Sequence, residues 1–190
     1  MTHPRERNNA ADRQTGAYWE REFCKMAGRY GYMFTPHQLA LKTKSAVAYE
    51  RGPDGWNPLT LPDITIWSTP GEHHEIKHKN RSRDGMYGLE RYRLDALVRF
   101  ANATGQKVYY TIHDWELAGA KNSQERVPND IRHWFVGDIA VLSRGCTKTA
   151  KDWTYYDGGM RRMEVWYWTA SPRWFKPLGE IWAGGSGKAA

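Results

Sequence analysis

Asp63, Glu75 and Lys77 are the residues whose types and spacing carry chemistry. Residues 73–79 read as a strand, on which positions two apart share a face, so Glu75 and Lys77 point one way and Ile76 the other. Asp63 lies on the preceding strand and joins them in any register of even sum, for example Asp63 opposite Lys77 and Thr65 opposite Glu75. That register leaves a loop of about five residues at 68–72, within the hairpin range. It also gathers Ile64, Ile66 and Ile76 on the other face, so the hydrophobic and the chemical patterns ask for the same parity. Two adjacent carboxylates repel one another unless a cation lies between them. Hard oxygen donors favour Mg²⁺, which neutralises phosphate charge and activates bound water. A lysine beside them can hold or deprotonate that water, or stabilise a pentacovalent phosphate as a point charge. The set suits phosphodiester hydrolysis.

The elements that must position these groups are legible on either side. Trp19, Phe23, Met26, Ala27 and Tyr30 form one stripe of a helix that Thr15 caps and Gly31 ends, with Glu20 and Glu22 in its early turns. Residues 45–50 read as a strand, 51–58 as a turn-rich stretch, 61–68 as a strand and 69–72 as the turn before 73–79. A second helix is expected over 87–103, with Leu89, Leu94, Leu97, Val98 and Ala101 as its stripe and Gly105 at its end. Residues 107–112 form a further strand. This order predicts an α/β fold with a mixed central sheet flanked by helices. Beyond 115, residues 134–142 fit helix and strand equally, and 164–169 read as a strand. The expected organisation is a flexible lead over 1–14, one domain over 15–183 (core 15–114, Trp-rich extension 115–183) and a tail over 184–190.

Composition narrows the partners. The 190 residues carry 28 Lys and Arg against 21 Asp and Glu, a net charge of +7 that suits a polyanion. Ten Trp and eleven Tyr supply apolar surface that a disordered chain lacks. No apolar run approaches a bilayer span and the N-terminus has no hydrophobic export segment, so a soluble cytoplasmic protein with no membrane partner is expected. Cys24 and Cys146 fit no metal spacing and are expected as reduced thiols.

Pro62-Asp63 followed by Glu75-Ile76-Lys77 resembles the signature of the PD-(D/E)xK nuclease superfamily, and the resemblance runs over 16–112. It implies a restriction-endonuclease-like core and a metal-dependent endonuclease acting on DNA, using Mg²⁺ with Mn²⁺ as a substitute. The flavour is that of phage-type or Holliday-junction-resolvase-like members, which implies branched or junction DNA, and the host-cell cytoplasm for a phage-encoded chain. Asp63, Glu75 and the Ile76 carbonyl would hold the metal and Lys77 would be the catalytic lysine. Relatives carry a further glutamate on the first helix. The segment around Trp19 points to Glu20, although helical geometry alone leaves Glu20 and Glu22 open. Relatives often place Gln at the start of the second helix; residues 88–93 contain none, so Glu90 or Arg91 would substitute. Symmetric cutting of a duplex would call for a homodimer.

Lys79, Arg81 and Arg83 form a basic loop beside the motif, and Arg91, Arg93 and Arg99 extend it; the first five are the expected nucleic-acid contacts. His73 and His74 face opposite sides of their strand, and His74 and His78 lie about 13 Å apart on one, so neither pair makes a zinc site. His113 and Asp114 end a strand, either near the site or in a plain turn. Most late Trp residues are expected in core or interface, with Trp166 and Trp168 sharing a face. The rival to an enzyme is a non-catalytic nucleic-acid-binding or assembly protein that keeps the nuclease fold.

Overall fold

The computed structural model describes residues 9–37, 48–52, 55–59, 61–67, 71–156 and 159–185. Helix α1 (Asn9–Arg29) leads into strand β1 (Met33–Pro36), and a hairpin of β2 (Ala48–Gly52) and β3 (Gly55–Leu59) precedes β4 (Ile64–Trp67) and β5 (Glu72–Lys79). Then follow β6 (Met86–Glu90), α2 (Arg91–Thr104) and β7 (Lys107–Asp114). A 3-10 turn (Ile131–His133), β8 (Trp134–Asp138), the short α3 (Ile139–Leu142), β9 (Lys148–Tyr156), β10 (Gly159–Thr169), β11 (Lys176–Pro177) and α4 (Leu178–Gly185) complete it. Among the described residues no helix is long and apolar enough to cross a membrane.

Six strands form one sheet in the order β1-β4-β5-β7-β8-β11. The β5–β7 pairing is parallel, because α2 carries the chain back across the sheet, and the others are antiparallel. The mixed α/β class is as expected. A core lies on each face. Trp19, Phe23, Met26 and Ala27 of α1 pack on Ile64, Ile66 and Ile76, with Trp134 and Trp182 beside them. On the other face Leu94, Leu97 and Phe100 of α2 pack on Val108, Tyr110 and Ile112, joined by Tyr87, Leu89 and Trp168. The alternation along β7 thus feeds two layers.

The chain departs from the sequence expectations at several elements. The first helix begins at Asn9, so 9–14, expected in the polar lead, are helical; residues 1–8 lie outside the described set. It ends as expected before Gly31, whose φ is +81°. The stretch 51–58, expected as turns, contributes both arms of the β2–β3 hairpin; 45–47, 53–54 and 68–70 lie outside the described residues. Residues 86–90 are a strand rather than the first turn of a helix. Met86–Glu90 pair antiparallel with β10 in a second sheet, β6-β10-β9, where Tyr87 and Leu89 share one face and are fully buried. Long-range pairing there overrides a leucine that also fits the helical stripe. Helix α2 accordingly starts at Arg91 and closes on Gly105 (φ +67°). Residues 134–142 are both elements in turn, strand then helix. Gly184 and Gly185, expected in the tail, end α4; 186–190 lie outside the described set.

Candidate active site

The β4–β5 register differs from the expected one by two residues: Ile64 pairs with His74, Thr65 with His73 and Ile66 with Glu72. A slip of two leaves every side chain on its face, so the isoleucines bury together in either register and hydrophobic patterning cannot choose between them. The parity holds, and Asp63 stays on the face of Glu75 and Lys77. Its carboxylate is 2 % exposed, and Oδ2 accepts the Ile76 backbone N–H at 2.7 Å. That bond pins the aspartate across the strand pair at the position of the motif.

Glu75 is fully buried in mid-strand. Its Oε1 accepts from Lys77 Nζ at 2.5 Å and from Arg93 Nε at 2.9 Å, and its Oε2 from Arg93 Nη2 at 2.7 Å. Arg93 reaches it from α2, which packs on that face of the sheet. Glu20 of α1 lies at the same end of β5, in a cleft of about 630 Å³ whose walls include Ile76, Lys77, Lys79, Asn80 and Ser123. Glu22 lies elsewhere, bonded to Lys25 at 2.6 Å and to the Asn129 amide. Of the two glutamates left open by helical geometry, Glu20 is the one in the cleft.

The charges are unevenly satisfied. Burial, then the negative charges of Asp63 and Glu75, raises the Glu20 carboxyl to about 7. Burial, then Glu75, raises Asp63 to about 6. Burial also acts to raise Glu75, but Lys77 and Arg93 outweigh it and hold that carboxyl below its ordinary value. Burial would lower the Lys77 ammonium, yet Glu75 and Asp63 hold it well above the ordinary lysine range.

Among the described residues no group of three or more His, Cys, Asp or Glu side chains is arranged to enclose a metal ion. The donor types nevertheless fit a hard cation. Asp63 and Glu20 are oxygen donors whose carboxyls are raised by burial first and by neighbouring carboxylate charge second, and a divalent ion would offset both. Glu75 fits less readily, because both its oxygens are engaged by Lys77 and Arg93.

Four of the five expected nucleic-acid contacts also make contacts within the fold. Lys79 Nζ donates to the Gly88 carbonyl at 2.7 Å, Arg81 Nε lies 3.4 Å from Asp114, and Arg91 grips Asp95 while its guanidinium lies 4.0 Å from the Trp166 ring centroid. Arg93 holds Glu75, and Arg83 is exposed. Glu90 precedes α2 without a side-chain cap bond. The pairing of Arg93 with Glu75 is not among the sequence expectations, in which that helix start supplies Glu90 or Arg91. The one available signal was a cation two residues into a helix facing a buried glutamate.

His113 and Asp114 are buried behind the cleft. Trp19 stacks on His113 with centroids 3.7 Å apart and on His78 at 4.7 Å, and His78 Nδ1 lies 2.9 Å from His113 Nδ1. Asp114 accepts from Tyr87 Oη at 2.5 Å and from the amides of Glu116 and Leu117. Among the late tryptophans Trp168 and Trp182 are core, Trp166 and Trp174 are half-buried, and Trp153 is 44 % exposed. Cys24 and Cys146 are free thiols.

No family profile matches the chain, and no curated protein matches it. Among solved structures it is similar to Archaeoglobus fulgidus Hjc, a Holliday junction resolvase from an archaeal hyperthermophile. The match has 12 % identity and a TM-score of 0.46, and covers 88 % of this chain and 95 % of that one.

Proposed function

We propose that this chain is a metal-dependent endonuclease that hydrolyses DNA phosphodiester bonds, with Asp63, Glu75, Lys77 and Glu20 as its working groups. One observation carries the reading: the Asp63–Ile76 amide bond brings the aspartate to the motif strand, at the end of which Glu20, Ile76 and Lys77 wall one open cleft. Asp63 and Glu20, with the Ile76 carbonyl, are the oxygens that would hold Mg²⁺, or Mn²⁺ in its place, and Glu75 would join them on release from Arg93. When bound, the ion supplies phosphate-charge neutralisation and a more acidic water. Lys77 is held as an ammonium by Glu75 and Asp63, which supports a role as a fixed positive charge that stabilises the pentacovalent phosphate rather than as a base.

The test is cleavage of supercoiled plasmid, single-stranded DNA and a four-way junction in Mg²⁺, Mn²⁺ or EDTA, beside Lys77→Ala and Asp63→Asn. Metal-dependent cutting by the wild type alone is expected, and preference for the junction would place the protein among resolvase-like enzymes. A folded Asp63→Asn protein that cuts at the wild-type rate overturns the assignment. A second reading, a non-catalytic nucleic-acid-binding protein, draws on the closed Glu75–Lys77–Arg93 pairing. It expects steeply salt-dependent binding, indifferent to metal, with no cutting of any substrate.

A further inference from the structure

A smaller hollow, of about 200 Å³, adjoins the catalytic cleft between α1 and the loop that joins β7 to β8. Thr15 borders both, and the loop passes from one to the other, with Ser123 in the cleft wall and Gln124 in the hollow. Gln14 and Thr15, four and three residues before Tyr18, line the hollow with it from α1. Arg126 lines it from the loop, its guanidinium 4.7 Å from the centroid of the Tyr18 ring. That ring is held in turn: it meets the buried Trp19 edge-on at 5.2 Å, and Trp19 stacks on His113. The loop is tied to the motif strand, because His78, next to Lys77, bonds to the Ser123 carbonyl. Among the described residues no carboxylate lines the hollow or pairs with Arg126. Glu125, its neighbour in the chain, accepts the Lys121 amide instead.

We infer that this hollow holds a backbone phosphate of the DNA strand that leaves the cleft past Thr15, with Arg126 as the cation that positions it. The groups are those of backbone recognition. A guanidinium supplies charge and a bidentate fork, and the Thr15 hydroxyl and the Gln14 and Gln124 amides are neutral donors. Stacking on Tyr18 fixes the plane of the fork and leaves its N–H edge for an anion, so less freedom is lost when the phosphate arrives. Lys79, Arg81, Arg91 and Arg93, by contrast, are each engaged by a carbonyl or a carboxylate of the fold. The path of the strand rests on the nuclease reading, whereas the hollow is defined by its own residues.

The experiment measures binding of a short fluorescent duplex and of a four-way junction to the full chain in EDTA, between about 50 and 200 mM KCl. Each phosphate neutralised contributes about 0.9 to the slope of log affinity against log salt. Arg126→Gln is expected to lower that slope by about this amount on the tighter-bound probe, and to weaken binding at low salt about tenfold. Arg126→Lys is expected to keep the slope and lose part of the affinity, because an ammonium carries the charge without the fork. Tyr18→Leu is expected to keep the slope and weaken binding about threefold, the loss of one cation–π contact. Arg144→Gln removes an exposed arginine from a different hollow and is expected to leave the wild-type slope. Melting curves exclude unfolded variants, and Arg126 is exposed, so its own substitutions keep the test decisive if Tyr18→Leu does not fold. A wild-type slope in Arg126→Gln overturns the hollow, as does an equal fall in Arg144→Gln or no binding of either probe by the wild type. Cleavage in Mg²⁺ is run alongside. A wild type that binds through Arg126 but never cuts retains the hollow and loses the nuclease reading. One that cuts while Arg126→Gln binds as before loses the hollow alone.

Discussion

Arg93 closes both carboxylate oxygens of Glu75 with two near-parallel hydrogen bonds of 2.9 and 2.7 Å, from a helix eighteen residues further along the chain. The acid is fully buried, and Lys77 together with this guanidinium permits it to remain charged inside the fold.

Arg93→Met is therefore expected to destabilise the protein by about 3–5 kcal/mol near neutral pH, the range for removing one partner of a buried ion pair. The sign of the pH dependence follows from the pairing. The folded Glu75 carboxyl is held below its ordinary value, so its stabilisation is complete above that value and is lost as pH falls through the folded one. The gap between wild type and variant in urea titrations should narrow in acid. A gap that stays constant from neutral pH to pH 3 would refute the account.

Glu20 runs the other way. Its folded carboxyl is raised from 4.5 to about 7 by burial and by Asp63, so between those values the folded state binds more protons than the unfolded one and stability falls as pH rises. Glu20→Gln should be more stable than wild type, by a margin that grows from pH 5 to pH 8 in EDTA and shrinks when Mg²⁺ is added. The difference between the two proteins is the proper readout, because histidines with lowered pKa values tilt the wild-type curve in the opposite sense. A margin indifferent to pH and Mg²⁺ would remove Glu20 from the proposed metal site.

How far the sequence foretold this site depends on how local each determinant is. The faces of Asp63, Glu75 and Lys77 follow from period two alone, and survived a register that slipped by two. The first helix and β7 were legible because each carries an apolar pattern, and β5 because a turn signal and the alternating strand before it call for a returning arm. Residues 86–90 were not, because Tyr87 and Leu89 are core in a strand whose partner, β10, lies more than seventy residues away. The same remoteness hid the packing of the Tyr167 ring against Gly88. Arg93 was legible as a cation near the site, but its partner was set by how α2 packs on the sheet, which no local pattern states.

Gly137 offers a test of the second core. A Cβ there would come within 2.8 Å of Leu142 and 2.9 Å of the Phe175 ring, both buried. Gly137→Ala should cost about 1–3 kcal/mol by overpacking, read as a lowered urea midpoint. Phe175→Leu in the same chain should recover part of it, and two losses that simply add would show that the ring is not the obstacle.

The stacked histidines under Trp19 make the last prediction. His78 Nε2 lies 2.9 Å from the Ser123 carbonyl and so must donate to it, which leaves Nδ1 as an acceptor. His113, 2.9 Å away, must then donate from its own Nδ1. Burial first, then the neighbouring His78 and His133, lowers His113 to about 2, and burial lowers His78 to about 4. The unfolded chain protonates both near 6.5, so stability is lost as pH falls below that value. His113→Phe keeps the stack on Trp19 but leaves His78 Nδ1 without its donor, a cost of about 1–3 kcal/mol at pH 8. Because the variant has one fewer buried neutral imidazole to defend, its deficit should shrink as pH falls from 8 to 5, when urea midpoints are compared at each pH. Parallel curves for the two proteins would show that His113 is not held neutral by the fold.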